Sequence, residues 1–121
     1  CGMKCDVKND NRYLNKTCRE KISKNYKFLL AFENSLCSDY VTEKFFDTIL
    51  LDIIPVVLGR DGYSKFVPKS AYINARDFKT IKELTDYLTF LSQNPTEYNS
   101  YFKWKRYFVR TNNEYKVYIF F

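Results

Sequence analysis

An α/β fold, with a parallel sheet and flanking helices, is what this sequence predicts, on three observations. The apolar runs at residues 26–32 and 53–58 are as short as strands, whereas stretches near 41–51 and 80–91 repeat apolar residues every three or four positions, as helices do. The two kinds of segment alternate with short connections, the pattern of strand, crossover helix and parallel strand. The run 53–58 is apolar throughout, as in a strand covered on both faces.

Composition sets the bounds. The 121 residues, 45% hydrophobic and 19% aromatic, suffice for one domain with a genuine core and exclude disorder. A net charge of +6 and a pI near 9.1 suit an anionic partner. Lysine and arginine are scattered instead of gathered in a stripe, which counts against nucleic acid and leaves a nucleotide or phosphate in play. No apolar run reaches the ~18 residues that a bilayer demands, so no signal peptide or spanning helix is visible. The chain starts at Cys1 and stops on an apolar run at 117–121, so it reads as a portion of something longer, with any anchor outside it.

Residues 1–25 are polar and charged and read as an irregular covering segment that carries three of the four cysteines, Cys1, Cys5 and Cys18, with Cys37 further on. An even count fits two disulfides; without histidine or a CxxC pair, a four-cysteine zinc site is the rival reading. Asn15 opens an N-glycosylation sequon, which has meaning only in the secretory pathway; otherwise it is a plain loop residue.

Residues 26–32, aromatic and aliphatic, form the first strand. Glu33, Asn34 and Ser35 close it, Ser38 or Asp39 offers a helix cap, and a helix starting near Val41 buries Val41, Phe45, Phe46, Ile49 and Leu50. The second strand, 53–58, contains Pro55, which calls for a strand start or irregular pairing there. Gly59 to Pro68 is a loop with room for one short helical turn at 63–66, and residues 71–74 are a third strand. Thr80 with Glu83 three residues on begins a second amphipathic helix marked by Ile81, Leu84, Tyr87, Leu88 and Leu91. After Pro95 an aromatic, basic helix continues to Phe108, and the tail from Val109 is not assigned. The whole reads as one domain over 1–121.

In such sheets ligands sit at the carboxyl ends of the strands. That rule selects the corner from Glu33 to Lys44, where strand, polar loop and helix start converge as they do in phosphate sites. Lys44 can neutralise a phosphate oxygen, Glu43 can accept paired hydrogen bonds from vicinal hydroxyls, and Asn34 and Tyr40 add neutral partners. The plain alternative makes Glu43 and Lys44 first-turn surface charges and Tyr40 core, because no glycine-rich phosphate loop is present. Asp61 in its glycine-flanked loop reads as turn chemistry. The stripe of Tyr101, Phe102, Trp104, Tyr107 and Phe108 reads as core before it reads as a sugar-stacking platform.

The runs YKFLLAFENSLCSDYVTEKFFD, IIPVVLG, DGYSKFVPKSAYIN and YFKWKR resemble the carboxyl-terminal part of α1,3-fucosyltransferases of the plant and invertebrate kind. The likeness covers roughly residues 26–108, with FENS and DYVTEK as its most specific motifs. It implies the carboxyl-terminal half of a GT-B-type glycosyltransferase, a Rossmann-like domain whose core, 26–108, binds GDP-fucose. On matching positions it implies that Lys44 meets the diphosphate, Glu43 holds ribose or fucose hydroxyls, and Asn34 and Tyr40 complete the pocket. It further implies inverting transfer of fucose to an N-acetylglucosamine-containing glycan of a glycoprotein or glycolipid. The general base, the acceptor site and a phosphate-binding arginine are expected on an amino-terminal domain outside this chain. These 121 residues alone are therefore expected to be inactive. No cofactor is required, since no DxD motif occurs and Lys44 can play the cation's part, with a divalent ion left open. The resemblance also implies a single-pass Golgi membrane protein whose domain faces the lumen. A non-catalytic carbohydrate- or protein-interaction domain, using the aromatic, basic helix, is the alternative.

Overall fold

A computed structural model of the chain describes residues 16–33, 40–60, 62–109 and 118–119. Three parallel strands form its centre in the order β1 (Phe28–Leu30), β2 (Ile54–Val57) and β3 (Ile73–Asn74). Phe28 pairs with Ile54 and Val56 with Ile73, so register runs continuously across the sheet. All four residues of β2 are buried, as its unbroken apolar run predicts for a central strand.

Pro55 fits inside β2 for a reason of direction. The amide of Ile54 donates to Lys27 and the carbonyl of Val56 accepts from Ala31, so both residues face β1. Pro55 faces the other way, toward β3, which begins to pair only at Val56. Its absent N–H thus falls where no ladder bond is due.

The two faces of the sheet carry separate cores. On one side Ala31, Val57, Tyr63, Val67, Ala71 and Trp104 pack with Phe45 and Ile49 of helix α2 (Glu43–Ile49). On the other, Ile54, Val56 and Ile73 meet Leu91 of α3 (Ile81–Gln93), with Tyr98 of α4 (Pro95–Ser100) beside them. Thr80 caps α3 by accepting the Glu83 amide at 3.1 Å, and the Glu83 carboxylate reaches back to the Lys79 amide at 2.9 Å. That is a capping box displaced by one residue at its return bond.

Several expectations need correction. Lys16–Asn25 is a helix, α1, and not irregular; its only apolar pair at helical spacing, Cys18 and Ile22, is too slight a stripe to announce it. Helix α2 begins at Glu43, with Thr42 as its cap in place of Ser38 or Asp39, which lie outside the described residues. Ile81 is 82% exposed: at the first position of α3 it projects beyond the sheet that Leu84, Tyr87, Leu88 and Leu91 cover. The helix expected through Phe108 ends at Ser100, and a 3₁₀ segment, Lys103–Tyr107, follows. This break lets Tyr98 and Phe102 pack on one face of the sheet and Trp104 on the other, which one straight helix could not do. Lys105 ties the crossing down by donating to the Leu51 carbonyl at 2.6 Å and to Asp52 at 3.1 Å. Beyond it, β4 (Phe108–Val109) pairs antiparallel with β5 (Tyr118–Ile119), where the sequence suggested no element. Among the described residues no helix is long and apolar enough to cross a membrane.

Candidate functional site

The carboxyl edge of the sheet has two parts. The first is the corner after β1. There the Glu33 carboxylate accepts the Thr42 amide at 2.9 Å through one oxygen and the Thr42 hydroxyl at 2.6 Å through the other. Thr42 Oγ1 in turn accepts the Lys44 amide at 3.4 Å. One carboxylate therefore joins the chain just after β1 to the start of α2. It also places a negative charge beside the first amides of α2, where a bound anion would have been stabilised. An anion at this corner must be met by side chains more than by helix amides.

Three of the residues expected to bind ligand are held together here. Tyr40 is exposed, Glu43 is the exposed first residue of α2, and Lys44 follows it, half-buried. Thr48 strengthens this turn by donating its hydroxyl to the Lys44 carbonyl at 2.6 Å. Asn34 lies outside the described residues, as do Asn15, Cys1, Cys5, Cys37 and Asp61. Cys18 is buried and disulfide-bonded, which removes it from the zinc reading. No cluster of three or more histidine, cysteine or acidic side chains suited to a metal occurs among the described residues.

The second part is a cleft of about 300 Å³ at the carboxyl ends of β2 and β3, lined by Arg60, Gly62, Tyr63, Ser64, Lys69 and Tyr72 of the connection between the two strands, by Asn74 of β3 and by Asp77 beyond it. Asn74 ties the two strand ends together, donating to the Gly59 carbonyl at 3.2 Å and accepting the Arg76 amide at 3.1 Å. Gly62 turns the first loop with φ of 108°, a value that favours glycine. Gly59 is required by packing: a Cβ there would meet the Tyr63 ring and hydroxyl at 2.5 Å.

Tyr63 is the wall common to both parts. Its ring lies edge-on to Phe45 of α2 at 4.9 Å between centroids and tilts against Tyr72 at 5.4 Å. It is 2% exposed, and its hydroxyl has no hydrogen-bond partner among the described residues. Burial, then the nearby Glu33 charge, then Tyr72 push its phenol above the usual 10.0, so it stays a proton donor at neutral pH. Burial and then Asp77 raise Tyr72 in the same direction.

Sequence reasoning missed this second part. Arg60, Tyr63 and Lys69 belong to no compact motif, and only the rule that ligands gather at strand ends could have pointed to the residues after β2 and β3. Most of the aromatic stripe is core, since Trp104 is buried and Tyr101 and Phe102 pack with Tyr98 on the α3 face, but Tyr107 is 58% exposed and departs from that expectation. The Tyr101 hydroxyl is also committed to that of Tyr87 at 2.6 Å.

Comparison with known proteins points one way. The family model described as glycosyltransferase family 10 (fucosyltransferase), carboxyl-terminal part, matches residues 3–119. An α-(1,3)-fucosyltransferase C of Drosophila melanogaster is 43% identical over 94 residues, 78% of this chain and 22% of its own length. The human α-(1,3)-fucosyltransferase 4 is 49% identical over 84 residues, 67% of this chain and 16% of its own length. The chain thus spans about a fifth of the length of these curated relatives. A crystal structure of an α1,3-fucosyltransferase with GDP-fucose superposes on 93% of the chain and 32% of its own length. Its TM-score is 0.67 at 31% identity. A second α1,3-fucosyltransferase structure, with GDP, gives the same TM-score and identity.

Proposed function

Because the chain belongs to glycosyltransferase family 10, the fucosyltransferases, we propose that it supplies the GDP-fucose-holding part of an inverting α1,3-fucosyltransferase. The observation that carries this reading is the likeness, over 93% of the chain, to a solved enzyme crystallised with GDP-fucose. The open carboxyl edge of a parallel sheet is where such a fold accepts a nucleotide.

In this reading Lys44 faces the diphosphate, Glu43 accepts hydrogen bonds from hydroxyls of the ribose or fucose, and Tyr40 and Asn34 close the pocket. An acceptor hydroxyl on an N-acetylglucosamine-containing glycan attacks the anomeric carbon as the bond to the β-phosphate oxygen breaks. GDP leaves with the electron pair, and the hydroxyl proton passes to a base on an amino-terminal domain. Charge grows on the leaving diphosphate in this step. A fixed ammonium there lowers the barrier because it binds that charge most strongly when transfer is under way. The chain's own cations take the role a metal ion plays elsewhere, so the proposal includes no cofactor. The disulfide at Cys18 supports an oxidising compartment, and we place the domain on the lumenal side of the Golgi membrane.

Calorimetric titration of GDP into the chain tests the donor assignment. Lys44→Ala is expected to weaken binding by roughly tenfold or more, the loss typical of a charge-assisted contact, and Glu43→Ala to weaken it less. Equal affinity in all three proteins would remove the corner from the donor site.

A further inference from the structure

The corner after β1 has spent its carboxylate on its own backbone, but the cleft after β2 and β3 has not settled its polar groups. Arg60 and Lys69 stand on it, and neither has an ion-pair partner among the described residues. Tyr63 lines the same cleft, buried, with a hydroxyl that no protein group satisfies among those described. A buried hydroxyl without a partner costs stability, and a fold that keeps one on a residue lining the same cleft as two cations has a use for the donor. Asp77, across the cleft, leaves a net single positive charge.

We propose that Arg60, Tyr63 and Lys69 form a phosphoryl-binding subsite that takes a phosphate of the sugar-nucleotide donor. The inference rests on the donor reading and adds three residues to it. Two cations and a neutral donor lining one cleft, all from the connection between β2 and β3, suit a tetrahedral oxyanion, whose oxygens accept in several directions at once. Arg60 can bind two of them with its planar fork, Lys69 acts as a mobile point charge, and the Tyr63 hydroxyl supplies the neutral donor. Gly59 fixes where that hydroxyl stands: the Tyr63 ring and hydroxyl occupy the space a Cβ would need. The raised Tyr63 phenol keeps its proton in the presence of an anion, and the donor role requires this. Through Phe45, Tyr63 also packs on the turn that carries Lys44, so the subsite and the corner can engage one diphosphate from two sides.

The test is a titration of the full chain with pyrophosphate, GDP and guanosine, followed by calorimetry and by amide chemical shifts. Pyrophosphate is expected to bind and to shift Gly59, Arg60 and Tyr63. Tyr63→Phe and Arg60→Gln should each weaken pyrophosphate and GDP by roughly five- to tenfold, the scale of one hydrogen bond to a charged group, with guanosine unaffected. Asp77→Asn should act oppositely and tighten both about twofold, since it removes a like charge from the ligand's surroundings. Tyr63→Phe should melt no lower than the parent, so its weaker binding cannot be ascribed to misfolding. GDP binding that depends on Lys44 but not on Tyr63 or Arg60 overturns the subsite and leaves the donor reading in place. Pyrophosphate binding that depends on Tyr63 and Arg60, with no binding of GDP, supports the subsite and overturns the donor reading. Binding of neither ligand overturns both.

Discussion

The corner after β1 and the cleft after β2 and β3 lie on one edge of one sheet, yet they are built in opposite ways. In the corner a single carboxylate, Glu33, is fully engaged by Thr42, and the first turn of α2 is fixed before any ligand arrives. In the cleft the strand ends are joined through Asn74, but Arg60, Lys69 and the Tyr63 hydroxyl are left without protein partners among the described residues. One region is rigid and carries its ligand groups on a settled frame. The other is lined by donors that no protein group satisfies among the described residues. A site that must hold a diphosphate and then release it can use both: preorganised positions lower the ordering cost, and unmatched donors supply attraction.

The comparison can be broken most severely at Gly59. Gly59→Ala drives a methyl group against the buried Tyr63 ring, which has nowhere to move between Phe45 and Tyr72. Urea denaturation is expected to show a loss of about 1–3 kcal/mol. Because Tyr63 is the shared wall, both regions should loosen together, and a change confined to the cleft would show that they are independent.

A smaller effect is expected at the corner itself. Glu33→Gln keeps the size of the side chain but makes it neutral and leaves one of its two acceptors as a donor. The expected loss is about 1–2 kcal/mol, with faster amide exchange at Thr42 and Lys44 and unchanged exchange in α3. Unchanged protection at Thr42 would show that Glu33 does not hold the start of α2.

The two regions also differed in how far the sequence disclosed them. The corner was legible because its polar residues interrupt an apolar strand and precede a helical repeat. Phe45, Phe46 and Ile49 pack as that repeat requires, whereas Leu50, expected on the same face, is the helix's carboxyl cap and is 41% exposed. What hid the true cap was distance: Glu33 and Thr42 are nine residues apart, and no local pattern says that a carboxylate will reach across to the hydroxyl. The strand at 53–58 and the Thr80–Glu83 cap were readable for the same local reasons as the corner. The cleft was illegible because it is made of single residues scattered along the β2–β3 connection and the end of β3, brought together only once the two strands pair. The broken helix after Ser100 was illegible too: an aromatic stripe specifies burial, but not that it will be divided between two faces.

The smallest of the expected effects depends on pH. Burial first, then Glu33 and Tyr72, raise the Tyr63 phenol above 10.0, so the folded chain holds this proton more tightly than the unfolded chain does. Its contribution is complete below the unfolded value and is lost as pH climbs through the higher folded value. The parent should therefore lose stability as pH rises from about 10 upward, and Tyr63→Phe should lose less over the same rise. Equal losses in the two proteins would mean that Tyr63 is not the group responsible.

The central claim, that the carboxyl edge of this sheet holds the sugar-nucleotide donor, is tested most directly by amide hydrogen exchange of the chain with and without saturating GDP. The predicted result is slowed exchange at Thr42 and Lys44 in the corner and at Arg60 and Tyr63 in the cleft, with α3 and α4 unchanged. Protection that falls instead on the aromatic, basic segment from Tyr98 to Tyr107, with both parts of the edge unaffected, would contradict it.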